Sequence, residues 1–402
     1  MSGYADGGDG RCRVLRVVGE LNFGGTEMRT AELLPRLATA GTEVHFVTLS
    51  DRIGPGPLAE AAVRHGGSVT PIPLDARFPL RFLRLLRRLR PDVVHVDCAN
   101  FSGAVLCLAL LGRVPTRVAH FRGDDNQHRN LRRRAQRWCW RQLLRASATD
   151  ILGVSPSALT CGYQPAWRDD PRCQVVLNGL DLDRLHRPSG DHLRALTGRA
   201  RTTCSASAWA GLAGEATLAP AADPGRSARP ERGRPRRAGR PLGRGRRRSR
   251  PAAAAAHGVA DRVHLLGPRD DVGGLLRQAD VVVHPSCLEG LPGGVLEPVA
   301  LGIGTVAADL PGVRFIHEHL PGVTIVDTEA APAVWATAVR TAAAFTMATD
   351  PETAGERFQL SPFAIEAAVT THLAIYRRRL PDGPPSAPVD KNRSRLPAAS
   401  ER

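Results

Sequence analysis

The chain predicts an α/β protein built from two Rossmann-like domains that face a cleft. Three observations predict it. Its 402 residues are enough for two domains, each with a substantial core. In both halves, short β-branched apolar runs suited to buried parallel strands alternate with amphipathic stretches suited to helices. Glycine punctuates the passages from strand to helix, where the backbone must turn sharply.

The first half opens with a strand over Val14 to Val18. LNFGGTEMRTAELLPRLATAG (21 to 41) then reads as a glycine turn and an amphipathic helix ending at Gly41, and Glu43 to Leu49 as a second strand. This is a βαβ opening without GxGxxG, so it carries no dinucleotide fingerprint. Gly24 and Gly25 present no side chains, so a diphosphate or an acceptor can lie against the helix start; a plain strand-to-helix turn is the competing reading. PDVVHVD (91 to 97) reads as a buried strand, Ser102 to Leu111 as a helix, and RVAHFRGDD (117 to 125) as a strand ending in polar residues. Ligands of open parallel sheets bind at the carboxyl ends of strands, where His120, Arg122, Asp124 and Asp125 fall. Of these His120 is the site candidate, whereas His95, inside its apolar run, reads as a satisfied core residue.

Arg129 to Arg145 interleaves arginines with Trp138, Trp140, Leu143 and Leu144. Two readings stand: a basic helix lying on an anionic membrane surface, or a solvated helix whose tryptophans pack inward. The net charge of +16 raises nucleic acid as a partner, but residues 226 to 250 alone hold twelve Arg against one Glu. The basicity is therefore local, and no aromatic platform accompanies it, so no specific nucleic acid is expected. Eight scattered cysteines without CxxC spacing indicate neither a zinc site nor a disulfide framework. MSGYADGGDGRCR lacks the apolar stretch of a signal peptide and the longest apolar run, Gly103 to Leu111, is too short to span a bilayer, so a cytoplasmic location is expected.

The richest chemistry lies in VVVHPSCLEGLPGGVLEPVALGIGTVAADLPGV (281 to 313). Ala279 to His284 reads as a buried strand closed by Pro285, and Val295 to Leu301 as a short helix ended by Gly302. Between them Gly290, Pro292, Gly293 and Gly294 form a loop that feeds a helix N-terminus, whose unpaired N–H groups suit a diphosphate. Glu289 in the loop and Glu297 one turn into the helix can accept hydrogen bonds from sugar hydroxyls. A second strand follows over Gly304 to Ala308.

This strand, loop, paired glutamates, helix and strand resemble the donor-binding segment of family 4 glycosyltransferases, retaining enzymes of the GT-B fold. GGTE (24 to 27), ATDILGVSPSAL (148 to 159) and VVLNGLDLDRLHRP (175 to 188) resemble further family segments, with Leu185 where Phe is usual. The resemblance covers about 11 to 200 and 257 to 378. It implies an N-terminal acceptor-side domain over 11–187, a donor domain over 257–361, and a terminal helix over 362–380 that returns to the first domain. Glu289 would orient the donor sugar, Glu297 the ribose, His120 the reacting hydroxyls, and Gly24 and Gly25 the diphosphate. The implied reaction transfers a sugar with retention from a nucleotide-diphosphate sugar to a hydroxyl of a glycan or lipid-linked acceptor. It needs neither metal nor cofactor, the nucleotide sugar being a co-substrate, and a lipid-linked acceptor would bring the protein to the inner face of the membrane.

Residues 188–256 depart from this pattern. From 201 they are rich in Arg, Pro, Ala and Gly, almost without β-branched residues, and show no strand period. We read the segment as disordered or as the product of a compensated pair of frameshifts in a GC-rich coding sequence. The family's first donor-domain strands, with an Arg and a Lys that clamp the diphosphate, cannot be placed there. The second domain is thus expected to be incomplete, to bury less apolar surface and to pair its later strands poorly. An inactive remnant is accordingly the alternative function, with nucleic-acid binding through the Arg-rich segment and a nucleotide-sugar epimerase as lesser ones. Pro381 to Arg402 reads as a disordered tail.

Overall fold

The computed structural model describes residues 11–19, 25–50, 57–123, 131–189, 203–205, 217–219, 255, 258–260, 263–266, 269 and 271–380. Strands β1 (Cys12–Val18), β2 (Thr42–Thr48), β3 (Val69–Pro71), β4 (Val93–Val96), β5 (Thr116–Phe121), β6 (Asp150–Gly153) and β7 (Cys173–Val175) form one parallel sheet in the order β3-β2-β1-β4-β5-β6-β7. The chain reverses direction across the sheet between β1 and β4, and such a switch point opens a crevice at the strands' carboxyl ends. Val17 sits beside Val47 on one side and Val96 on the other, all three fully buried.

Helix α1 (Gly25–Thr39) follows β1 and ends at Gly41, whose φ of 72° suits glycine, as the sequence predicts. Helices α2 (Pro57–Arg64), α3 (Phe78–Leu89), α4 (Ser102–Leu111), α5 (Leu131–Ser147) and α6 (Pro156–Gly162) complete the layers, and α7 (Leu182–Leu185) leads out of the domain. Within α5 the apolar residues divide. Leu144 is buried and Trp140 meets Phe101 edge-on at 5.5 Å, whereas Trp138 is 62% exposed. Asp124, Asp125 and Gly24 lie outside the described residues.

The second sheet runs β10-β9-β8-β11-β12-β13, from β8 (Thr203–Ser205), β9 (Thr217–Ala219), β10 (His264–Leu265), β11 (Val281–His284), β12 (Thr305–Ala308) and β13 (Val323–Val326). Two expectations are corrected here. The segment read as strandless supplies β8 and β9, where Thr203 pairs in parallel with Val281 and Thr217 in antiparallel with Ser205. β-Branched Thr203 and Thr217 are among the few such residues in that segment, which is where strand formation costs least. The later strands, expected to pair poorly, hold full parallel register, with Val282 beside Thr305 and Val306 beside Thr324. Their own apolar faces suffice, since Val281, Val282, Val306 and Ala307 are at most 1% exposed. Apart from residues 188, 189 and 255, the rest of the anomalous segment lies outside the described residues, as does the tail from Pro381.

Helices α8 (Val272–Leu276), α9 (Gly293–Ala300), α10 (Pro311–His319), α11 (Pro332–Ala348) and α12 (Pro351–Gln359) cover this sheet. The sequence reading missed α12, whose cap is Asp350 accepting from Thr353 N at 2.9 Å. Helix α13 (Ile365–Arg377) packs against the first domain. Ala368, Val369, Ile375 and Tyr376 pack with Val14, Leu33 and Leu34, and Arg378 and Arg379 pair with Asp150 at 2.8 and 2.7 Å.

Candidate functional site

The loop of the second domain that carries Glu289 runs from His284 at the end of β11 to Pro292, the residue before α9. Glu289 holds its place in that loop by accepting from Ser286 Oγ at 3.0 Å, and its Oε1 lies 3.8 Å from the buried His284 ring. Gly293 and Gly294 form the first turn of α9 and Glu297 follows one turn on. The predicted end at Gly302 is observed, with φ of 77°. Gly290 is one point at which the two domains meet. A Cβ there would stand 2.9 Å from the carbonyl oxygen of Arg122 and 3.1 Å from Gly123 Cα, so only glycine allows this approach. The loop that carries Glu289 therefore rests on the carboxyl end of β5, two residues beyond His120.

Across the cleft, β1, β4 and β5 bring together charges that the sequence reading passed over. Asp97 accepts from Arg16 through both oxygens, Nε to Oδ2 at 2.6 Å and Nη2 to Oδ1 at 3.2 Å, and from Arg122 Nε at 2.9 Å. Burial opposes ionisation of Asp97, but the two guanidiniums outweigh it and hold the carboxyl well below its ordinary range. Arg122 also donates from Nη1 to Asn178 Oδ1 at 2.6 Å, tying the site to the segment that leaves the domain. Glu27, in the first turn of α1 after Gly25, is pushed up by burial. His120 is buried beside this group, and burial with Arg122 nearby holds its ring well below the ordinary histidine value. His95 is satisfied at both nitrogens, as predicted, and burial together with Arg16 brings its pKa to about 4.

Glu297 does not stand open in the cleft. Its Oε1 accepts from Arg29 Nη2 of α1 and from Arg184 Nη2 of α7, the latter at 2.8 Å. Arg29 also pairs with Glu32 at 2.7 Å, and Arg184 Nε lies 2.6 Å from Glu32 Oε1, near enough for an ion pair although its angle is poor for a hydrogen bond. Burial raises the Glu32 pKa in spite of both guanidiniums. Two cations and two anions thus form a neutral knot joining α1, α7 and α9. Glu289 and Glu297, with seven residues between them in the pattern, consequently have different surroundings: Glu289 accepts from Ser286 in its own loop, and Glu297 is fastened to the other domain.

Signals for the missed residues were present in part. Arg16 interrupts the apolar run CRVLRVV, and a charge inside a buried strand demands a partner; Asp97 ends the next strand of the crevice. Arg29 and Glu32 stand three apart on α1, a spacing that is common on any helix surface. Among the described residues, His95, Asp97 and His120 bring ligand-type atoms within 4.8 Å of one another. They do not suit a metal ion, because both Asp97 oxygens already face guanidiniums whose charge would repel a dication.

Comparison with known proteins bears on this geometry. Residues 23–184 match the model of Glycosyltransferase Family 4 and residues 240–344 that of Glycosyl transferases group 1, together more than half of the chain. The chain belongs to family 4 of the glycosyltransferases. The capsular polysaccharide biosynthesis glycosyltransferase CapH of Staphylococcus aureus is 29% identical over 148 residues, 36% of this chain and 40% of CapH. The putative glycosyltransferase EpsF of Bacillus subtilis is 26% identical over 185 residues, 44% of this chain and 47% of EpsF. The matched region thus spans less than half the length of either relative. Anabaena HepE, solved in complex with UDP, superposes with a TM-score of 0.63 over 90% of this chain and 98% of its own at 15% identity. That likeness shows the fold: two Rossmann-like domains in the GT-B arrangement.

Proposed function

We propose that this chain transfers a sugar, with retention of configuration, from a nucleotide-diphosphate sugar to a hydroxyl of a glycan or lipid-linked acceptor. The observation that carries the reading is the seating of Gly290 on Arg122 and Gly123, which sets the Glu289 loop against the strand end bearing His120. In this reading the diphosphate lies at the start of α9, along Gly293 and Gly294, and against Gly24 and Gly25 of the other domain. Glu289 accepts from donor-sugar hydroxyls, and His120 meets the reacting end of the sugar. Glu297 serves the ribose from within the knot with Arg29 and Arg184. The leaving diphosphate assists deprotonation of the acceptor on the face from which it departs, so the protein's contribution is positioning and charge stabilisation, with no metal or cofactor required.

HepE has been solved with UDP-glucose, which makes that donor the first to test. The full chain is incubated with UDP-sugars, and UDP release is followed alongside the anomeric proton signals of any product. Release of UDP with a product of the donor's own configuration is expected. If no donor in a broad panel is transferred or hydrolysed, the chain is an inactive remnant. That second reading is favoured by one observation: the family's diphosphate-clamping Arg and Lys cannot be placed in residues 201–256. Exposed Trp138 and half-exposed Leu143, on a helix rich in arginine, support peripheral contact with an anionic membrane where a lipid-linked acceptor is presented. No helix among the described residues is long and apolar enough to cross a membrane.

A further inference from the structure

A run of hydrogen bonds lies behind His120 and ends on the terminal helix. The Tyr376 hydroxyl is 2.9 Å from His95 Nδ1, and His95 Nε2 is 3.1 Å from His120 Nδ1. All three side chains are at most 1% exposed, and His120 Nε2 is buried without a partner among the described residues. His372, one turn before Tyr376 on α13, stacks on the His95 ring with 5.9 Å between centroids and an interplanar angle of 10°. It donates from Nδ1 to the Ala368 carbonyl at 2.8 Å, so it takes no part in the run beyond packing.

Hydrogen counting gives this run a direction. Burial, with Arg16 and Arg122 close by, keeps both imidazoles neutral near pH 7, and burial keeps Tyr376 a phenol. A neutral imidazole has one N–H and one acceptor nitrogen, so the run can be polarised in only two ways. In the first, Tyr376 O–H donates to His95 Nδ1, His95 Nε2–H donates to His120 Nδ1, and His120 is left with a hydrogen on Nε2. In the second, His120 Nδ1–H donates to His95 Nε2 and His95 Nδ1–H donates to the Tyr376 oxygen. The phenol hydrogen then needs another acceptor, and the Tyr376 hydroxyl has none among the described residues. A buried hydroxyl hydrogen without an acceptor is disfavoured by far more than the difference between two neutral tautomers. Asp97 Oδ1, at 3.7 Å from His95 Nε2 and 3.8 Å from His120 Nδ1, is too far to bond and favours neither direction.

We propose that Tyr376 and His95 are positioning residues that hold His120 as its Nε2–H tautomer, so that His120 meets its substrate as a hydrogen-bond donor to an acceptor oxygen. The statement about substrate rests on the glycosyl-transfer reading; the tautomer does not. The orientation comes from a helix 281 residues downstream of His95, which makes an element outside the first sheet's own sequence part of that sheet's chemistry.

The test uses the full chain labelled with ¹⁵N-histidine and a two-bond ¹H–¹⁵N correlation spectrum at pH 7.5, with His120 assigned by the signals absent from His120→Asn. The expected native pattern is Nε2–H, turning wholly or partly to Nδ1–H in Tyr376→Phe. A native Nδ1–H pattern overturns the proposal without any variant, and so does an Nε2–H pattern unchanged in Tyr376→Phe. With an active donor in hand, Tyr376→Phe is expected to lower kcat on the order of tenfold, the size of one misdirected hydrogen bond, while KM for the donor changes less than about twofold. Loss in KM alone overturns the positioning role. A chain with the expected tautomer that consumes no nucleotide sugar refutes the glycosyl-transfer reading and leaves the relay standing; an active chain with the opposite tautomer does the reverse.

Discussion

Acidification from pH 7.5 to pH 5 is expected to destabilise the first domain steeply, because three of its buried neighbours are histidines that cannot take up a proton in place. His95, His120 and His372 are each at most 1% exposed and all have lowered pKa values, His95 to about 4 from 6.5. Burial is the first cause in each, with Arg16 and Arg122 adding repulsion. The sign follows from proton counting: below pH 6.5 the unfolded chain binds protons that the folded chain refuses, so stability is full above that value and falls with pH. Each imidazole held neutral at pH 5 then accounts for about 2 kcal/mol lost, and three for roughly 6 kcal/mol, against a total of about 5–15 kcal/mol for an ordinary domain. Glu27 and Glu32, whose pKa values are raised by burial, take up protons in the folded state and offset part of this loss. Asp97 acts only at lower pH, where its depressed carboxyl would be protonated. Urea unfolding followed by far-UV circular dichroism at half-unit steps of pH gives the slope, expected to approach roughly 4 kcal/mol per pH unit between the two limits. His372→Gln should lower that slope by about one third. A free energy of unfolding that is flat or rises as pH falls from 7 to 5 would refute the reasoning.

Three other perturbations follow from the geometry. Glu297→Ala leaves Arg29 and Arg184 sharing only Glu32, and is expected to cost about 3 kcal/mol, seen as a lower urea midpoint. Glu289→Gln keeps the side-chain shape and an oxygen that can accept from Ser286 Oγ, so it should leave thermal unfolding within about 1 °C while donor turnover drops on the order of a hundredfold. Gly304→Ala would place a Cβ 1.9 Å from the Ala342 carbonyl oxygen, forcing α11 away from β12; a loss of about 3 kcal/mol or more is expected, read from the melting temperature.

The fold was legible where a local pattern is also the global one. Val14 to Val18, Ser102 to Leu111 and the strand–loop–helix around Glu289 declare themselves by period and by glycine, and each is found within two residues of its predicted bounds. Short elements were not legible: β8 and β9 have three residues each, and their strand character comes from neighbours that the local sequence does not name. Of the candidate site, the positions of the loop and of His120 were legible, because the loop follows a strand and His120 lies near the carboxyl end of one. The partners of Glu297 could not, because Arg29 and Arg184 lie 268 and 113 residues away and an arginine on a helix surface gives no sign of what it will meet. The same holds for Tyr376, which in sequence is one more apolar residue of an amphipathic helix.

The return of α13 also bears on how the molecule is made. Val14, Leu33 and Leu34 wait for Ala368, Val369 and Ile375 to cover them, so the first domain emerges from the ribosome with one apolar flank uncovered and stays so while the whole second domain is synthesised. Contacts closed over such a span are also slow to form. Chaperone demand should therefore fall on the domain that is translated first, and a nonsense codon just ahead of Ile365 should yield an aggregating product although both sheets have been encoded in full.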